Sequence, residues 1–164
     1  MAKNIIKPGP GQESVWDYPR PPRIETVNQP ISIIFNGEII AESTRSKRVL
    51  ETSHPPVYYL PQEDIKMGYL SLTEKSSYCE WKGRAVYYSL EVNGKKAKNT
   101  AWSYPDPTSG FNTIKNHLAF YAEPMDACFV GEEQVQPQPG NFYGGWITKN
   151  IIGPFKGGPS STWW

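Results

Sequence analysis

Two stretches of the chain share one pattern. An alternating apolar and polar run meets an Asn-Gly pair, and a second run follows. Ile31 to Phe35 leads through Asn36-Gly37 into Glu38 to Glu42, and Val86 to Val92 leads through Asn93-Gly94 into Lys95 to Ser103. Asn-Gly suits the tight two-residue turn, whose central positions need positive φ. Both stretches are therefore predicted β-hairpins. In the second, Val86, Tyr88 and Leu90 alternate with Tyr87, Ser89 and Glu91, the period of a half-exposed strand.

Shorter runs predict further strands at Arg48 to Thr52, Val57 to Leu60, Tyr69 to Leu72 and Ser77 to Trp81. Ala119 to Tyr121 and Ala127 to Val130 read the same way, the latter turning at Gly131-Glu132. Helix is limited to one or two short turns. Pro61 to Asp64 can start one, and Asn112 to Leu118 is the other candidate. Residues 1–30 hold six prolines and little periodicity. They predict an extended N-terminal arm, with Trp16 and Tyr18 pinning it to the body. Residues 31–164 predict a single β-rich domain. Many short strands with frequent turn signals make the expected fold mainly β and antiparallel.

Composition narrows the class. A chain of 164 residues fits one domain able to bury a real core. A hydrophobic fraction of 38% is low, but aromatics reach 13%, which favours a folded β-rich domain over disorder. Sixteen prolines and fourteen glycines exclude long helices. The net charge of +1 and the small basic clusters argue against a nucleic-acid partner. No run approaches a membrane span, and no apolar leader is evident at the N-terminus, so a cytoplasmic protein with no membrane partner is expected. The two cysteines, Cys79 and Cys128, match no metal spacing, and reduced thiols are expected. No cofactor and no metal are expected.

The chemistry-bearing residues gather in tracts rich in rings and prolines. These are Glu51 to Tyr59, Ser77 to Gly83, Ala101 to Pro105, and Asn141 to Trp146. Tyrosine and tryptophan bring a polar handle that needs a partner when buried. Beside His, Glu and Lys they suit the walls of a cleft. Glu51 and His54 could form an acid-base pair, or Glu51 could pair with Arg48 or Arg45. On a regular strand, Cys79 and Trp81 would share one face and Glu80 and Lys82 the other, so Cys79, Trp81 and Lys82 could not all line one cavity. Gly83 could end the strand or mark a bulge that redirects Lys82. Cys79 is a potential nucleophile or a small buried hydrophobe. Lys82 could receive an anionic group or pair with Glu80. The P-loop ending is missing from Gly153 to Gly158, and no nucleophile elbow occurs.

The tracts also carry a resemblance. Phe35-Asn36-Gly37-Glu38, Arg48 to Tyr59, Cys79-Glu80-Trp81-Lys82-Gly83, Ala101 to Pro105, Ala119 to Tyr121, Gly144 to Ile147 and Gly153 to Pro159 run in the order seen in the domain of unknown function (DUF) 427 family. The chain resembles a member of that family over about 130 residues. The resemblance implies a single compact, curved antiparallel β domain of the Mss4-like, or β-tent, type. It implies no established activity. The paired Cys-x-x-Cys motifs that hold zinc in many Mss4-like proteins are missing.

These readings converge on an aromatic-lined cleft for small polar ligands, anionic ones included. Its expected lining is Glu51, His54, Tyr58, Trp81, Lys82, Trp102 and Tyr104, with Arg45 and Arg48 at the rim. His54, Glu51 and Cys79 are the candidate catalytic residues, with no reaction assigned. The alternatives are a non-catalytic protein-interaction module presenting Trp163-Trp164, and a thiol-dependent redox protein. A small molecule is the expected partner, and weak self-association is left open.

Overall fold

The computed structural model describes residues 4–140, 142–158, 161 and 164. In chain order its strands are β1 (Glu13–Ser14), β2 (Arg23–Thr26), β3 (Ile31–Phe35), β4 (Glu38–Ser43), β5 (Lys47–Leu50) and β6 (Val57–Tyr59). They continue with β7 (Leu70–Cys79), β8 (Gly83–Val92), β9 (Lys95–Ser103), β10 (Leu118–Phe120), β11 (Ala127–Val130) and β12 (Glu133–Gln134). Three two-residue pieces follow, β13 (Gln136–Pro137), β14 (Trp146–Ile147) and β15 (Ile151–Ile152). The protein is mainly β, and its larger sheets are antiparallel.

Both Asn-Gly hairpins form, with Asn36 and Asn93 at φ of 48° and 49°. The first builds the sheet β12-β11-β3-β4, and the second the sheet β10-β9-β8-β7. A third sheet has the order β2-β5-β6. Leu60, just past β6, bridges to Leu118 at the start of β10 and so ties the third sheet to the second. Part of the N-terminal arm joins the body: β2 pairs with β5, and β1 pairs with β15. Trp16 donates from Nε1 to the Pro154 carbonyl, and Tyr18 is buried with its hydroxyl on Glu13.

Several expectations are corrected here. The two strands predicted at Tyr69 to Leu72 and Ser77 to Trp81 are one strand, β7, with a bulge between Leu72 and Ser76. It ends at Cys79, because Glu80-Trp81-Lys82 is a turn that returns the chain into β8. Among the described residues helix is confined to 3-10 turns at Val15–Asp17, Gln62–Asp64, Met67–Tyr69 and Ser109–Ile114, more than the one or two expected. The predicted helix at Asn112 to Leu118 stops at Ile114, and Leu118 already belongs to β10.

Strand alternation sends side chains into separate clusters. On β9, Ala101 packs with Ile33, Phe35, Leu118 and Phe120, whereas Trp102 packs with Tyr59, Tyr87 and Tyr104. β8 keeps one alternation along its length: Ala85 and Tyr87 face the aromatic cluster, and Tyr88, Leu90 and Val92 face the aliphatic one. The aromatic cluster forms the floor of the site described next.

Candidate functional site

β5, β6, β8 and β9 all turn one residue toward the same side of the molecule. Val49, Tyr59, Tyr87 and Trp102 come from these four strands, and Tyr104 follows β9. The rings interlock. Trp102 meets Tyr59 edge-on at 6.5 Å between centroids and donates from Nε1 to its hydroxyl at 3.3 Å. Tyr59 lies 6.3 Å from Tyr104, and Tyr121 lies 4.7 Å from Trp102. Burial, with neighbouring Tyr87 adding to it, pushes the Tyr121 phenol up to about 12. Burial likewise raises Tyr59 and Tyr104. The floor is therefore uncharged at neutral pH.

This floor opens into a cavity of about 480 Å³, within the size range of small-molecule sites. One wall is the turn after β7, which contributes Cys79, Glu80, Trp81 and Lys82. A turn has no alternating faces, so residues that a strand would send apart are presented together. Gly83 ends it at φ +104°, a conformation that side-chain-bearing residues rarely adopt. Thr108 clamps the turn, donating from its hydroxyl to the Trp81 carbonyl at 2.6 Å and from its amide to the Lys82 carbonyl at 3.1 Å.

Lys82 is the least ordinary residue of the wall. Only 8% of it is exposed. Its ammonium lies 5.7 Å from the centroid of Tyr104 and 6.0 Å from that of Phe111. Among the described residues no carboxylate comes within ion-pair distance of it. Glu80 lines the same cavity but does not pair with it, so the anticipated Glu80–Lys82 ion pair is not formed.

The opposite wall comes from the loop after β5 and from the C-terminal region. His54 is buried, and its Nδ1 lies 2.9 Å from the Thr52 carbonyl. A carbonyl only accepts, so Nδ1 carries the hydrogen and Nε2 keeps its lone pair. Tyr143 meets the imidazole edge-on at 4.8 Å, and the Lys156 ammonium lies 5.5 Å from the Tyr143 ring. Lys156 also donates to the Trp164 main-chain oxygen at 3.0 Å. Gln138 holds this wall together, donating to the Lys156 carbonyl at 2.8 Å and accepting from the Gly145 amide at 3.0 Å.

Glu51 is half-buried and lies 3.9 Å from Arg20, not beside Arg45 or Arg48. Burial lowers the His54 pKa below its ordinary 6.5, with Lys156 and Arg20 adding to the shift and Glu51 and the Thr52 carbonyl opposing it. The folded chain therefore favours neutral His54. The stability from this group is full above about pH 6.5 and is lost as pH falls through the lower folded-state value. His54→Gln should therefore give a flatter curve of denaturation midpoint against pH just below 6.5 than the native chain. Parallel curves for the two proteins would refute the linkage.

Glu51, His54, Trp81, Lys82, Trp102 and Tyr104 thus line one cavity, together with Cys79. Three expected residues do not. Arg45 is drawn to Asp64 at 2.7 Å, and Ser43 holds the same carboxylate from a second side. Arg48 alternates with cavity-lining Val49 on β5, so it faces away, toward Glu25 at 2.8 Å and Glu13 at 3.2 Å. Tyr58 is one position from Tyr59 on β6 and stacks on Trp146 in the other cluster at 5.2 Å. Sequence reasoning did not place Tyr59, Tyr87, Tyr121, Gln138, Tyr143 and Lys156 at the site. A parity count on β6 carried a usable signal for Tyr59. Lys156 stood only within the Gly153 to Pro159 motif, far from the other tracts in sequence.

Both cysteines are free. Cys128 is buried in the aliphatic cluster, and burial pushes its thiol well up. It lies outside the cavity lined by Cys79. Among the described residues no group of three or more His, Cys, Asp or Glu side chains could hold a metal ion. No described helix is long and apolar enough to cross a membrane.

Fold and site together define a mainly β domain with one ring-floored, lysine-bearing cavity. A protein-family profile described as "Domain of unknown function (DUF427)" matches residues 23–131, and the chain belongs to that family. The match takes in β2 to β11, and with them the floor and the Cys79–Lys82 turn. The His54 wall is completed by residues beyond it, Gln138, Tyr143 and Lys156. A search of curated proteins finds no significant match.

Proposed function

We propose that this cavity binds a small anionic molecule with a flat or polyhydroxylated body. The ring floor would supply contact area, Lys82 the charge complement, and His54 with Glu51 the directional hydrogen bonds. Lys82 carries the reading. A lysine that is nine-tenths buried, with no carboxylate partner for its ammonium among the described residues, costs free energy in the folded chain. Such a cost is typical of groups kept for binding. An entering carboxylate or phosphate offsets it with charge-assisted hydrogen bonds.

The test has two arms. A thermal-shift screen of aromatic carboxylates, sugar phosphates and acidic polyols should find compounds that raise the melting point, since binding to the native state stabilises it. Lys82→Met should weaken their binding at least about tenfold. It should also leave the unliganded protein equally or more stable, because the apolar replacement removes an unpaired charge. A lysine kept for structure would behave the opposite way, with stability lost and affinity unchanged. That outcome, or a screen with no stabilising anion, rejects the reading.

A second reading is a protein-interaction surface, supported by two large rings at the cavity rim. Tyr78 is 77% exposed and Phe142 65%. Trp164, expected as the docking knob of such a surface, instead packs edge-on against Trp16 at 5.3 Å. Trp163 lies outside the described residues. Concentration-dependent association abolished by Tyr78→Ser and Phe142→Ser would favour this reading over the first.

A further inference from the structure

The cavity wall also carries a thiol that the binding reading does not use. Cys79 closes β7 opposite Gly83, at the base of the turn that carries Lys82. Cys79 packs against the aromatic cluster that holds Tyr59 and Tyr104. Cys128, by contrast, is sealed from solvent. A thiol on a cavity wall is not a site by itself. What distinguishes this one is the buried Lys82, three residues further along the chain, which pairs with no carboxylate among the described residues and lines the same space. The chemistry that fits a thiol, a cation and an apolar floor is addition to a soft electrophile.

We propose that Cys79 is a nucleophile that captures α,β-unsaturated carbonyl compounds entering the cavity. The inference rests on the cavity admitting a small molecule, as in the binding reading. The step balances without an oxidant or a leaving group. The Cys79 S–H bond breaks and its proton passes to water. The sulfur electron pair forms a bond to the β-carbon, and the C=C π pair moves to place negative charge on the carbonyl oxygen. Lys82 supplies the positive charge facing that enolate. The proton then returns to the α-carbon, and the product is a thioether.

The test uses the whole protein and N-ethylmaleimide, an uncharged acceptor of this class, followed by mass spectrometry of the intact chain and its peptides. One adduct should form on Cys79, at least about tenfold faster than on glutathione at the same pH. Cys128 should label only after unfolding. Lys82→Met should slow the reaction tenfold or more, and Lys82→Arg, which keeps the charge, should restore most of it. A thiol that is merely accessible would react no faster than glutathione and would ignore both Lys82 changes, and either result overturns the proposal. Should Lys82→Met unfold the chain, the Lys82→Arg rate and the glutathione comparison still decide. Cys79→Ser removes the adduct, while reversible anion binding is read separately by thermal shift on the unlabelled native chain. Failure of labelling is thereby separated from failure of the binding reading.

Discussion

Trp102→Ala is expected to destabilise the protein by about 3–5 kcal/mol, the usual cost of truncating a large buried ring. For a chain of this size that lowers the melting point by roughly 6–20 °C. Trp102 is only 7% exposed, and its indole touches both Tyr59 and Tyr121. Removing it takes the centre out of the ring floor and leaves the Tyr59 hydroxyl without its indole donor. Urea denaturation with an unchanged slope would measure the loss directly. A cost under about 1 kcal/mol would show that the floor packs independently of Trp102.

The second large effect is at Gly144, which lies on the other side of the same indole. A Cβ built there falls 2.9 Å from Trp102 Cζ3 and closer still to Cη2. The neighbouring Gly145 has no room either, since its Cβ would lie 2.6 Å from the Pro55 carbonyl oxygen. The segment is held by Gln138 and by the Trp146 amide, which donates to the Pro56 carbonyl at 2.8 Å. Neither partner can easily retreat. Gly144→Ala should therefore cost about 1–3 kcal/mol through overpacking. In a Trp102→Ala background most of that cost should vanish, because the atoms it collides with are gone. Denaturation of the two single variants and the double variant closes the cycle. Equal costs for Gly144→Ala in both backgrounds would mean that the clash is not what makes this glycine necessary.

This coupling explains why two tracts far apart in sequence belong to one structure. Ala101 to Pro105 and Asn141 to Trp146 read as separate clusters of rings in the linear chain. In the fold the first supplies the floor, and the second lays a side-chain-free stretch of backbone over it.

Legibility varied by element for physical reasons. The Asn-Gly hairpins could be read outright, because the turn's φ requirement and the strand period are local properties of a few residues. The ends of β7 were harder. Its bulge divided one strand into two apparent ones, and the turn at Glu80-Trp81-Lys82 has composition compatible with strand. That error bore directly on the site, since strand geometry forbids the grouping of Cys79, Trp81 and Lys82 that the turn allows. The choice between Tyr58 and Tyr59 failed for a related reason. Both are aromatic and both are buried, so composition cannot say which faces the cavity. Arg45 and Arg48 looked like rim cations, but each found a carboxylate elsewhere.

The chain's own pattern was enough to settle that this is a mainly β protein built around two tight hairpins, that it belongs to the DUF427 family, and that its rings concentrate in a few tracts. The β class and the hairpins follow from short-range periodicity and turn chemistry, which act between neighbours, and the family from the order of whole motifs along the chain. Only the tertiary structure decided that Tyr59 and not Tyr58 faces the cavity, that Lys82 has no counter-ion among the described residues, and that Lys156 and Tyr143 complete the wall beside His54. Those outcomes depend on strand phase, bulges and long-range pairing, where a shift of one residue exchanges inside for outside.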